Sequence, residues 1–293
     1  MAKKQFKAES KRLLDLMINS IYTHKEIFLR EIISNASDAC DKLCYQALTD
    51  ESVGMSRKDF AIHITVDKDA RTLTVSDNGI GMDQADLENN LGIIASSGSY
   101  RFKQEVGDDA KDTDVIGQFG VGFYSAFMVA DKITVVTKKY GAESGYTWVS
   151  SGADGYTITP CDKESVGTDI IMHIKEDTED EKYSEFLESW RLQELVRKYS
   201  DYIRFPIRME VSKTRRKEGS PDDKPEYETY TEEETLNSMV PIWQRRKSSV
   251  KPEEYNKFYR DKFHDYADPQ RVITVSAEGA VTYKALLFIP GAT

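Results

Sequence analysis

The fold of this 293-residue chain is decided by one stretch, Ile27-Phe28-Leu29-Arg30-Glu31-Ile32-Ile33-Ser34-Asn35-Ala36-Ser37-Asp38-Ala39. Its apolar residues recur at helical spacing and continue to Leu43, which predicts a helix from about Lys25 to Leu48. Because residues four and seven apart share a helix face, four polar residues line one side: Glu31, Asn35, Asp38 and Lys42. Such a row is typical of a solvated face. The small residues Ser34–Ser37 also favour a second interpretation, in which another group approaches the helix closely.

Downstream of this helix the apolar period changes to two. The alternating segments Ala61–Val66 and Thr72–Ser76, separated by Lys68–Arg71, predict a β-hairpin. The hairpin runs into Asp77-Asn78-Gly79-Ile80-Gly81-Met82, where a carboxylate precedes two glycines. This is either an ordinary turn or a strong acceptor beside backbone that a ligand can approach closely.

A third motif is Gly117-Gln118-Phe119-Gly120-Val121-Gly122, which precedes a predicted helix from Gly122 to Val129. Glycines before a helix can offer backbone N–H groups and the positive helix end to phosphate. No Gly-Lys-Ser/Thr follows, so it is not a P-loop, and it is not placed as a Rossmann fingerprint would be. A purely structural turn is the alternative.

The remaining pattern predicts more strands and two domains. Four strands are expected, followed by a helix around Ser184–Tyr199 and a strand at Ile207–Val211, and these complete a first domain over residues 1–212. The four strands are Lys132–Lys138, Tyr146–Ser150, Tyr156–Thr159 and Thr168–Ile174. Residues 213–231 are charged and indicate a linker or an exposed hairpin extension. Residues 232–293 indicate the beginning of a second α/β domain that is truncated.

Composition excludes several classes of protein. A net charge of −10 argues against non-specific nucleic-acid binding, which depends on Lys and Arg. No apolar run is long enough to cross a bilayer, and no signal-type stretch follows the N-terminus, so we expect no membrane association and a cytoplasmic or organelle-matrix protein. The cysteines Cys40, Cys44 and Cys161 are expected to be free thiols, and the scattered histidines do not indicate a metal site.

Taken together and in this order, the three motifs resemble the N-terminal ATPase domain of the 90-kDa heat-shock chaperones. The resemblance covers residues 5–211, and Val240-Pro241-Ile242-Trp243 is similar to the start of that family's middle domain. The short linker is similar to that of the bacterial HtpG type, which implies the bacterial cytoplasm. The wider superfamily includes gyrase, histidine kinases and MutL. The implied fold is α+β: a two-layer α/β sandwich with helices on one face of a mostly antiparallel sheet and ATP among the helices.

The resemblance implies a role for each motif. Asp77 would accept a hydrogen bond from the adenine amino group, and Thr168 would support the same edge, partly through water. Asn35 would complete the Mg²⁺ shell, and Glu31 would be the catalytic general base. The ATP-binding positions that it implies are Asn35, Asp38, Ala39, Lys42, Asp77, Gly81, Met82, Asn90, Leu91, Ser97, Gly117, Gln118, Phe119, Gly120, Val121, Gly122, Phe123 and Thr168.

Conformational change and partners follow from the same resemblance. Gly92–Gly122 would be a lid over ATP, although Ser96 stands where the family usually has a basic residue. Lys4–Phe6 would exchange between partners in a closed dimer. The implied partners are ATP or ADP, unfolded client proteins and, in the full-length protein, a second copy. Residues 1–293 would be mainly monomeric and weak in ATP hydrolysis, because a middle-domain arginine and a C-terminal dimer domain are lacking. A DNA-handling ATPase of the gyrase or MutL type and a nucleotide sensor with negligible turnover are the alternatives.

Overall fold

The computed structural model describes residues 24–93, 122–152, 154–217, 226–277 and 282–291. The chain divides into two compact units, Met1–Asn237 and Ser238–Thr293. Lys4–Phe6 and most of the predicted lid lie outside the described residues.

Among the described residues of the first unit, the first element is the long helix predicted from the opening stretch. Helix α1 spans Ile27–Gln46, and a short helix α2 spans Gln84–Asn90. Where an α-helix was expected after the glycine motif, Gly122–Met128 forms a 3₁₀-helix, and another 3₁₀ segment covers Tyr183–Leu187. Helix α3 spans Ser189–Tyr199, so the single helix predicted over Ser184–Tyr199 is divided in two.

One twisted sheet supports these helices. Its strands are β1 (Ile62–Asp67), β2 (Thr72–Asp77), β3 (Ala130–Lys138), β4 (Gly145–Ser150), β5 (Tyr156–Cys161), β6 (Gly167–Ile174), β7 (Ile207–Arg216) and β8 (Tyr227–Thr235). Among the described residues their order is β5-β4-β3-β6-β2-β1-β7-β8, and only β1 and β7 pair in parallel. The β1–β2 hairpin is confirmed, as is the mostly antiparallel α+β sandwich.

The main core lies between one sheet face and the helices. Alternate residues of the central strands are buried, such as Leu73 and Val75 on β2, while their neighbours Thr74 and Ser76 remain half exposed. Helix α1 contributes a fully apolar side to this core: Phe28, Leu29, Ile32, Ile33 and Ala36. Burial of this stripe explains why helical periodicity predicted α1 so closely.

Charged groups fix the first turn of α1 to α3. The Glu26 carboxylate accepts hydrogen bonds from Lys198 at 2.8 Å and from Arg191 at 2.6 Å, and also binds the Tyr199 hydroxyl. The Lys198 and Tyr199 hydrogen bonds are the main reason that the pKa of Glu26 falls to about 2. This anchor orients the helix that carries the polar row.

The expected linker requires a correction. Residues 213–216 and 227–231 are not a linker between domains but the outer parts of β7 and β8, which pair from Arg208–Thr235 to Arg216–Tyr227. The hairpin alternative therefore describes them. The second unit begins at Ser238 rather than at residue 232.

Asn237 is the physical reason for the later boundary. Its buried amide donates to the carbonyls of Ile203 and Phe205 at 2.9 and 3.0 Å, and its carbonyl accepts from the Ile207 N–H at 2.8 Å. The residues that follow β8 are thereby hydrogen-bonded to the segment Ile203–Ile207, which leads into β7.

The second unit contains helix α4 (Pro252–Phe263) and an antiparallel pair, β9 (Arg271–Ala277) and β10 (Tyr283–Ile289). Phe258 and Tyr259 of α4 pack on Phe288 of β10, with ring centroids 6.1 and 5.2 Å apart. These elements agree with the α/β character expected of residues 232–293.

Replacing Asn237 by alanine should lower the free energy of unfolding by about 3 kcal/mol, because three buried backbone groups lose their partner at once. Urea unfolding followed by circular dichroism measures this change, with Thr229→Ala on the exposed part of β8 as the control. Equal stability of the two variants would contradict the assignment of residues 232–237 to the first unit.

Candidate functional site

The four polar residues of α1 do not all lie at the surface of the helix. Glu31, Asn35 and Lys42 are half buried on the same side of the helix, whereas Asp38 is 1% exposed and lies inside. The expectation that all four line one accessible face is therefore modified at Asp38.

The turn after β2 is attached directly to the α1 backbone. A Cβ on Gly79 would collide with the Ala39 carbonyl group and would lie 2.5 Å from the Cys40 nitrogen. The next residue, Ile80, donates its N–H to the Ala39 carbonyl at 3.0 Å. The turn therefore approaches α1 at Ala39 and Cys40, which follow the small residues Ser34–Ser37.

Gly81 has the same kind of role towards β3. Its φ of +66° favours glycine, and a Cβ there would collide with the Lys138 carbonyl oxygen. The Tyr140 N–H donates to the Ile80 carbonyl at 2.8 Å. Both glycines were expected to let a ligand come close, and the structure shows that their missing side chains make room for protein backbone.

Asp77 lies buried at the end of β2, where this turn begins. Its Oδ1 accepts the Gly79 N–H at 2.9 Å. Burial raises the pKa of Asp77 to about 7, with a smaller contribution from Asp169, while the N–H of Gly79 and Lys163 act in the opposite direction. The folded chain thus holds this proton more tightly than the unfolded chain. The resulting stability is present below about pH 4 and is lost as the pH rises through 7.

Thr168 stands beside Asp77, because β6 pairs with β2 at Thr168–Asp77. Its hydroxyl lies 2.9 Å from the hydroxyl of Thr137, which ends β3 with Lys138 and is completely buried. The Thr137 hydroxyl also accepts the Met82 N–H at 2.9 Å. Strand pairing therefore places Thr168 beside Asp77, and Thr137, which the sequence did not indicate, joins Thr168 to Met82.

Glu31 meets the end of the glycine motif. A Cβ on Gly122 would collide with Oε2 of Glu31 and would lie 3.2 Å from its Cβ. The other carboxylate oxygen accepts from the Arg30 guanidinium at 2.6 Å. One oxygen of Glu31 is held by a neighbour in the chain, and the other faces the backbone that follows the motif.

Aromatic residues join the end of helix α2 to the 3₁₀-helix Gly122–Met128. The Tyr124 hydroxyl donates to the Leu91 carbonyl at 2.9 Å, directly after α2. The neighbouring Phe123 packs edge-on against Tyr124 and Trp148, with centroids 5.6 and 5.5 Å apart. Leu91 and Phe123 are consequently both buried at this junction, and Asn90 is half buried at the end of α2.

Some predicted residues fall outside this picture. Ser97 and the motif residues Gly117, Gln118, Phe119, Gly120 and Val121 lie outside the described residues. Thr137 and Gly167 were missed. No sequence signal could have found them, because their importance depends on β3 and β2 both pairing with β6.

The described side chains could complete the coordination of a metal ion but could not hold it alone. In the part of the chain that the structure describes, no group of three or more His, Cys, Asp or Glu residues could hold a metal ion. Asn35 offers a neutral oxygen ligand one helical turn from Glu31. That donor set fits a divalent cation that arrives with phosphate oxygens. None of the described helices is sufficiently long and apolar to span a bilayer.

Comparison with known proteins adds independent evidence. A family model described as histidine kinase-, DNA gyrase B-, and HSP90-like ATPase matches residues 22–170, and one described as Hsp90 protein matches residues 185–229 and 217–293. Chaperone protein HtpG of Halalkalibacterium halodurans is 58% identical over 291 residues, which are 99% of this chain and 46% of that protein. The HtpG of Bacillus subtilis is 57% identical over the same shares. That of Clostridium botulinum strain Langeland is 56% identical over 100% of this chain and 46% of its own.

The chain spans about half the length of the curated relatives it matches. The two family models between them match residues in both compact units. The residues matched by the ATPase model include α1, the turn after β2 and Thr168. The chain therefore belongs to the histidine kinase-, DNA gyrase B- and HSP90-like ATPases and, within them, to the Hsp90 family.

Proposed function

We propose that this chain binds ATP beside α1 and hydrolyses it as the nucleotide-binding part of an ATP-dependent chaperone. The observation that carries the proposal is the Asp77 carboxyl, buried at the end of β2 next to the half-buried face of α1. At position 6 adenine carries an amine that can donate to this acceptor, whereas guanine carries a carbonyl oxygen there and would leave the carboxylate unpaired. Adenine therefore fits better than guanine.

The phosphates are proposed to lie towards the N-terminal half of α1. Asn35 would complete the shell of a Mg²⁺ ion that the phosphates and water already hold. The other implied contacts are made by Lys42, Asn90 and the glycine motif, together with Ser97. When bound, Mg²⁺ would neutralise charge on the phosphates.

Glu31 is proposed as the general base. A carboxylate one helical turn from Asn35 can orient a water towards the γ-phosphate without being a metal ligand. Its contact with Gly122 fixes the carboxylate against the glycine motif, and Arg30 holds its second oxygen. Both contacts limit the rotamers that Glu31 can adopt.

The chaperone role and its partners are proposed from the relatives, which are named Chaperone protein HtpG. Unfolded client proteins and a second copy of the full-length chain would be the partners, in the bacterial cytoplasm. We also propose that residues 1–293 alone are mainly monomeric and turn ATP over slowly. A role in DNA handling is disfavoured by the net charge of −10.

Two substitutions separate binding from hydrolysis. Glu31→Ala should keep nucleotide affinity within about twofold and lose at least about 100-fold in phosphate release, because only the general base is removed. Asp77→Asn should weaken ADP binding by about 100-fold, because the charged acceptor for the amine is lost. Calorimetry with ADP and a phosphate-release assay measure the two effects.

The matched control is Glu143→Ala, which removes an exposed carboxylate from the loop between β3 and β4. It should bind and hydrolyse like the unmodified chain. Normal turnover by Glu31→Ala would overturn the general-base assignment. Undiminished ADP affinity in Asp77→Asn would overturn the base-binding assignment.

The pKa of Asp77 supplies a second test. In the ligand-free chain its carboxyl should titrate near pH 7. An amine that donates to the ionised form stabilises it, so saturation with ADP should lower this pKa and release a proton when binding occurs below pH 7. Carbon NMR of labelled aspartates follows the titration directly, without interference from the phosphate groups of ADP.

Asp50 and Asp59 are internal controls, because local hydrogen bonds already hold the pKa of each below its ordinary value. Neither resonance should move with ADP. An Asp77 pKa that is unchanged by saturating ADP would contradict contact between this carboxyl and the base.

A further inference from the structure

The Thr137 hydroxyl is the most connected buried hydroxyl near Asp77 in the described structure. It lies 2.9 Å from the Met82 nitrogen, 3.2 Å from the Gly167 carbonyl oxygen and 2.9 Å from the Thr168 hydroxyl. Thr137 itself is 0% exposed. It therefore joins the turn after β2 to the start of β6 from a position that cannot contact solvent.

Counting protons limits what this hydroxyl can do. A hydroxyl has one proton to donate and two lone pairs. The Met82 N–H occupies one lone pair of Thr137. Its own proton can go either to the Gly167 carbonyl or to the Thr168 hydroxyl, but not to both.

Each choice fixes the polarity of Thr168. If Thr137 donates to Gly167, Thr168 must donate to Thr137, and only lone pairs of Thr168 remain for other groups. If Thr137 donates to Thr168, the Thr168 proton is available elsewhere. Thr137 thus determines whether Thr168 is a donor or an acceptor at the edge of the site that contains Asp77.

The chemistry of adenine requires one of these two states. Its amino group donates, and the ring nitrogen next to it, N1, accepts. Asp77 can receive the amine, so the neighbouring position needs a donor. Thr168 pairs with Asp77 across β2 and β6, and its hydroxyl can fill that position directly or through one water.

We propose that Thr137 is a positioning residue for base recognition, which holds Met82 in place and directs the Thr168 hydroxyl as a donor towards N1 of adenine. This inference rests on the proposed nucleotide-binding function. Thr137 contacts Thr168 and Met82 rather than the base, so its effect on binding must pass through those residues.

A double-mutant cycle tests this path. Thr137→Val preserves shape and removes the hydroxyl, and it should weaken ADP binding about tenfold. Thr137→Ser keeps the hydroxyl and should bind within about twofold of the unmodified chain. We also compare the loss of ADP affinity that Thr137→Val causes with and without the Thr168 hydroxyl. In a Thr168→Val background this loss should be at least threefold smaller than in the unmodified chain, because the group that Thr137 directs is already absent. Calorimetry measures each dissociation constant.

The control is Thr134→Val on the half-buried outer face of the same strand, which should bind ADP normally. A merely structural role for Thr137 would give the same loss in both backgrounds, and that result would overturn the proposal. An unchanged affinity in Thr137→Val would also overturn it. If the unmodified chain fails to bind ADP, the proposed nucleotide-binding function fails instead.

A nucleotide analogue tests the donor without any substitution, in case Thr137→Val does not fold. In 1-deaza-ADP a C–H group replaces N1, so the proposed donor has no partner. The unmodified chain should bind ADP about tenfold more tightly than this analogue. Equal affinities would show that no donor is directed at N1 and would overturn the proposal.

Discussion

The contact between the turn after β2 and the backbone of α1 sets the geometry of the whole site. Gly79 lies so close to Ala39 that no larger residue fits, and Gly81 lies equally close to Lys138 of β3. The peptide groups of Ile80 continue the connection, since they bond to α1 on one side and to Tyr140 on the other. Asp77, which precedes this turn, consequently has a fixed position relative to the polar row of α1.

The two carboxylates that the site depends on lie in different environments. Asp77 is buried, and burial raises its pKa to about 7, so an entering amine both pairs with it and favours its ionised form. Glu31 is half buried and contacts Arg30 and Gly122. A buried acceptor suits recognition, whereas an accessible carboxylate suits contact with water. The separation of recognition from chemistry therefore follows from burial.

Much of this arrangement could be predicted from periodicity and motifs. The apolar stripe of α1 and the alternation in β1 and β2 are local patterns, and each matches its element to within about two residues. Features that depend on strand pairing could not be predicted in this way. Thr137 becomes important only because β3 and β2 flank β6, and residues 213–216 and 227–231 belong to two paired strands, after which Asn237 binds the Ile207 N–H. Likewise, glycine spacing could not show that Gly79 and Gly81 lie against protein backbone.

A crystal structure of this chain with ADP and Mg²⁺ tests the central claim most directly. We predict that the adenine amino nitrogen lies about 3 Å from an Asp77 carboxylate oxygen, with the Thr168 hydroxyl beside N1 directly or through one water, and with the phosphates towards Asn35. A base bound away from Asp77, or in the reverse orientation with its phosphates at Thr168, would contradict it.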